Sequence, residues 1–125
     1  MGRVTTDYTY ANSPIIIGHG KAVTKKVLVL YTSVSEVSGK RILAAGTILG
    51  HATESLLTNN AVKASVVNGA TSQVIAIETV DCTNGDMFCT VLVEGVANYA
   101  NVAAVQVPHA DALTAFGDRI VMANN

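Results

Sequence analysis

Between Lys25 and Val107 the chain is a succession of short apolar runs rich in valine, isoleucine and threonine, each closed by a turn signal. Side chains branched at Cβ are stiff at their first torsion and fit a pleated surface better than a helix. A strand begins at Lys25, where Val27, Val29 and Tyr31 alternate with Leu28, Leu30 and Thr32. Both of its faces are apolar, so it is expected to be covered on both sides. Gly39-Lys40 marks a turn, and Ile42 to Gly50 gives short stretches broken by glycine. Thr58-Asn59-Asn60 precedes a strand over Val62–Val67, and Asn68-Gly69 reads as a hairpin into the next strand, Gln73–Val80. Asn84-Gly85 then leads into Met87–Val93, the strongest strand signal, followed by a weaker stretch from Val96 to Val107.

Past Pro108 the period changes. His109 to Phe116 is alanine-rich and stops at Gly117, which predicts a short helix with Ala112, Leu113 and Phe116 on one face. Arg119–Met122 closes the pattern as a strand. Residues 1–22 differ from the rest: they hold Tyr8, Tyr10 and Ile15-Ile16-Ile17 after Pro14, with Gly18 and Gly20 around His19. Proline and glycine interrupt any ladder, so an extended N-terminal arm is expected, with an edge strand over Ile15–Ile17 as the alternative. The organisation is therefore an arm, 1–22, and one mainly β domain, 23–125, a small barrel or sandwich of short strands with one short C-terminal helix.

Composition narrows the function. Half of the 125 residues are hydrophobic, yet charged residues make up 14%, aromatics 5%, and the net charge is −1. This excludes the low-hydrophobicity, high-charge signature of disorder. It also lacks the basic excess and stacking platforms of a nucleic-acid binder. So little charge leaves a weakly polar surface, which suits a subunit that meets another protein. The opening residues lack the apolar stretch of a secretory signal, and no run reaches the ~20 residues of a membrane span, so no membrane association is expected. Charge is uneven along the chain: residues 1–41 carry six basic and two acidic side chains, and residues 42–125 carry two basic and seven acidic. The run from Lys21 to Arg41 is either a solvated edge or a positive surface for an acidic partner.

Candidates for chemistry are few. His19, His51 and His109 have no second histidine or cysteine at ligand spacing, and His51 with Glu54 lacks the histidine a zinc helix requires. Gly18-His19-Gly20-Lys21 fails as a phosphate loop because Ala22 stands where serine or threonine is needed. The acids are too dispersed for a calcium loop, and no serine sits in a hydrolase elbow. Cys82 and Cys89 flank Asn84-Gly85; a two-residue turn there offsets their sulfurs by two positions, so free thiols in a reducing compartment are expected. Neither has a partner base nearby in sequence. No enzyme, metal or cofactor is expected.

The order of four segments carries a resemblance: the turn Ala45-Gly46-Thr47-Ile48-Leu49-Gly50, a polar stretch to Asn68-Gly69, the strand with acidic turn Val74 to Asp81, and Val91-Leu92-Val93-Glu94-Gly95-Val96-Ala97-Asn98. With the ending Leu113 to Phe116 and Ile120-Val121, about residues 27–123 resemble the lambda-type head decoration proteins of tailed bacteriophages. The resemblance implies a β-tulip fold, a homotrimer on the outer surface of the expanded capsid at local threefold positions, and a non-catalytic clamp on the major capsid protein, made in the host cytoplasm. It further implies an arm that orders on the shell, here Thr5 to Ile17, with Thr5, Tyr8, Tyr10, Ile15, Ile16 and Ile17 as the binding residues. Two other readings compete: a β-clip module for a small ligand or carbohydrate, which uses similar glycine-threonine turns, and a phage tail structural protein.

Overall fold

The computed structural model describes residues 15–16 and 22–123. It is mainly β. Its strands are β1 (Val23–Val29), β2 (Ile42–Leu43), β3 (Ile48–Gly50), β4 (Ser65–Val66), β5 (Ser72–Ala76), β6 (Val80–Asp81), β7 (Met87–Asn98) and β8 (Ile120–Ala123). Two helices, α1 (Tyr99–Val105) and α2 (Ala110–Phe116), lie between β7 and β8. The large sheet runs β1-β7-β5-β3-β4, antiparallel throughout, and β8 joins the far end of β7 in parallel. A small second sheet pairs β2 with β6.

The large sheet divides the core in two. Along β5 and the residue after it the run Val74-Ile75-Ala76-Ile77 is buried throughout, and alternate residues point to opposite sides. Val74 and Ala76 join Val27, Val29, Leu43, Leu49, Leu56, Cys82, Cys89 and Val91 on one face. Ile75 and Ile77 join Ile48, Leu92, Val102, Ala112, Phe116 and Ile120 on the other, beneath the helices. An unbroken apolar run in this chain thus marks a strand covered on both faces. For β1 that expectation is corrected: Val27 and Val29 are buried but Lys26 is exposed and Leu28 only half-buried, because only the face that bears Val27 and Val29 packs into a core.

The Asn68-Gly69 hairpin is corrected as well. β4 and β5 do not pair with each other; they lie on opposite sides of β3. The Asn68-Gly69 turn closes on itself instead, Ser72 N–H donating to Gly69 O and Gly69 N–H to Ser72 Oγ, each at 3.0 Å. Likewise β6 is held by β2, and its pairing extends through Cys82 N–H to Arg41 O at 2.7 Å and Arg41 N–H to Thr83 Oγ1 at 3.0 Å. Asn84-Gly85 is therefore a corner between two sheets. The weak stretch after Val96 divides into the end of β7 and a helix, α1, whose start is capped by Asn98 Oδ1 accepting from Ala100 N–H.

The C-terminal helix stands where expected, with His109 Nδ1 capping Asp111 N–H and Gly117 at its end. Ala112 and Phe116, one turn apart, face the core, while Leu113 is 39% exposed. Leu113 thus leaves the apolar face assigned to it.

Candidate interaction surface

A tight turn builds one wall of the surface. Val37 and Lys40 exchange backbone hydrogen bonds at 2.8 and 3.0 Å across Ser38 (φ 54°) and Gly39 (φ 80°). Positive φ at both central positions makes this a two-residue turn that follows the natural twist of strands. Arg41 braces it: its guanidinium donates to Val34 O at 2.6 Å, lies 3.8 Å from Glu36 and sits 5.6 Å above the Tyr31 ring. The braced turn holds Val37 70% exposed.

The end of α1 supplies the opposite wall. Between them lies an open groove of about 440 Å³, lined mainly by Val34, Val37, Ile42, Leu43, Val66 and Val105. Ile42, Val105 and the nearby Val107 are 44%, 41% and 63% exposed. Leaving this much β-branched surface in water forgoes burial worth roughly 25 cal/mol per Å², so the patch is what a partner would cover. Sequence reasoning missed Val37 and Val105. The first is an isolated valine beside a Ser-Gly turn; the second lies in a helix that Asn98 and the following alanines could have signalled.

Of the arm residues named above, Thr5, Tyr8, Tyr10 and Ile17 lie outside the described residues. Ile15 and Ile16 lie within them. Ile15 is 1% exposed among Ile48, Ile75 and Leu92, and its carbonyl accepts from Asn98 N–H at 2.7 Å. Ile16 is half-buried and bridges Ala97 in antiparallel register. Ile15 is thereby occupied by this domain's own core, as the edge-strand alternative anticipates.

Among the described residues, the bases between Lys21 and Arg41 have separate partners, Lys25 donating to Leu56 O. Lys26 reaches Thr90 Oγ1 at 3.2 Å, Arg41 faces Glu36, and Lys40 lies near enough to Asp81 to help lower its pKa. Lys63, from further along the chain, pairs with Asp86 at 2.6 Å.

A second concavity, around His51, Glu54, Ser72, Gln73 and Arg119, is polar, but its groups already serve the fold. His51 Nδ1 accepts from Thr53 and Glu54 N–H, Gln73 spans Leu56 N–H and Glu54 O, and Arg119 donates to Val93 O. His51 is half-buried. Among the described residues no group of three or more histidines, cysteines or acids is placed to hold a metal, and no helix is long and apolar enough to cross a membrane. Cys82 and Cys89 are free and buried. Burial, reinforced by Glu78, pushes the Cys89 thiol up to about 12; burial with Asp81 and Asp86 raises Cys82. Both stay protonated near neutrality, and a protonated thiol is a poor nucleophile.

Compared with family models, with curated proteins and with solved structures, the chain matches none.

Proposed function

We propose that this chain is a non-enzymatic capsid decoration protein, which binds the outer surface of an expanded tailed-phage head as trimers and braces the shell against packaged DNA. The observation that carries the reading is the groove: Val37, Ile42 and Val105 stand exposed together on a domain whose buried polar side chains are all hydrogen-bonded among the described residues. A small domain satisfied within and apolar at one outer face suits a part that sits against other subunits. The mainly β fold and the resemblance of residues 27–123 support the capsid as that partner. In this reading Tyr8 and Tyr10 remain the arm's anchors, Ile17 with them, while Ile15 secures the arm's root. Many copies on one shell turn weak single contacts into a strong collective brace.

Co-sedimentation with expanded heads of the encoding phage tests this, comparing the full chain, a variant lacking residues 1–12, and Val37→Asp. The full chain should saturate at a multiple of three copies per site, and both variants should bind at least about tenfold more weakly, the effect of losing one interfacial anchor. No binding by the full chain would overturn the capsid reading.

A further inference from the structure

The chain contains the dipeptide Asn-Gly twice, at Asn68-Gly69 and Asn84-Gly85, and the structure treats the two asparagines oppositely. The Asn68 side chain is clamped at both ends: Nδ2 donates to Val107 O at 3.0 Å and Oδ1 accepts from His109 N–H at 2.7 Å. Asn84 is exposed at the corner between β6 and β7, and its side-chain amide has no hydrogen-bond partner among the described residues. Gly85 follows with φ +144° and open space where a Cβ would stand. Its N–H reaches Cys82 O at 3.3 Å, at the weak end of the hydrogen-bond range.

We propose that Asn84 is a site of spontaneous deamidation, driven by the neighbouring Gly85 nitrogen and water, and that Asn68 is protected from the same reaction by its two hydrogen bonds. The Gly85 amide gives its proton to solvent base and its nitrogen attacks Asn84 Cγ. The new N–Cγ bond closes a succinimide ring, the Cγ–Nδ2 bond breaks, and the nitrogen leaves as ammonia after taking a proton. Water then opens the ring at either carbonyl to give aspartate or isoaspartate. Glycine is the residue least able to obstruct this attack, having no side chain. Asn68 must break both clamps before its Cγ can turn toward Gly69.

The product places a carboxylate beside two others. Asp81 is held ionised below the usual carboxylate range by the Thr83 hydroxyl and N–H, and Asp86 by Lys63 and the Tyr31 N–H. The isoaspartate form also adds a backbone methylene to the corner joining the small sheet to β7. The reaction would therefore act as a slow clock on the geometry of that corner.

The test is peptide mapping by mass spectrometry of the full chain held in mildly alkaline buffer, once folded and once in urea. In the folded protein the Asn84 peptide should gain the mass difference between ammonia and water at least about tenfold faster than the Asn68 peptide, from the hydrogen bonds Asn68 must give up. In urea the two rates should converge, and Asn84→Ser should remove the fast folded-state signal. Equal folded-state rates, a faster Asn68, or an Asn84 that reacts only in urea would each overturn the proposal.

Discussion

At Gly50 the backbone of β3 passes so close to Thr71 that a Cβ would come within 2.0 Å of the Thr71 carbonyl oxygen. A backbone atom cannot swing aside as a side chain can, so the register of β3 against β5 would have to shift. Gly50→Ala should cost about 3 kcal/mol or more, read from the urea midpoint; a near-neutral result would mean that this approach is relaxed. Asp86 shows a different dependence. Lys63 and the Tyr31 N–H hold its carboxyl below the usual range, so its folded pKa lies below that of the unfolded chain. The unfolded chain then takes up the proton more readily. The contribution is complete above about pH 4 and is lost as acid titrates the folded carboxylate. Asp86→Asn should flatten the fall of the denaturation midpoint on acidification, and an unchanged slope would unlink the residue from acid stability.

Among the elements, β7 is the one through which the others are joined. It pairs with β1, β5 and β8 and bridges Ile16, and its twelve residues carry buried side chains into both halves of the core. Its first seven residues were plain in the sequence because Met87–Val93 is apolar and β-branched. Its last five were not, since Gly95 and Ala97 weaken a strand signal that the parallel contact with β8 makes good. The C-terminal helix was legible from Pro108 and Gly117, two punctuating residues that act locally. Pairing partners were not, because Asn-Gly fixes a local turn, and which strand lies alongside is decided by long-range packing. The groove was hidden for the same reason: Val37 and Val105 lie far apart in sequence and are brought together only by the fold. Helix packing can be tested at Phe116, 2% exposed on the helix side of the sheet. Phe116→Ala should lose about 3–5 kcal/mol by opening a cavity beneath α2. Loss of the α1 cap in Asn98→Ala should cost only about 1 kcal/mol, and a reversed order would mean that the helices are held by their ends and not by the core.

For the whole molecule, the root of the arm belongs to the fold. Deleting residues 1–12 should leave thermal unfolding unchanged, whereas deleting 1–20 removes Ile15 from the core and should lower stability by about 2–5 kcal/mol. Equal melting temperatures for the two deletions would show that Ile15 is dispensable. The position of Ile16 has a topological consequence too. Ile16 and Met122 both pair with Ala97, one on each side of β7, so they stand two strand spacings apart, about 10 Å. A bridging peptide of a few residues could close the backbone into a ring at that point. The polypeptide could then be opened at another exposed loop with its strand order in space preserved.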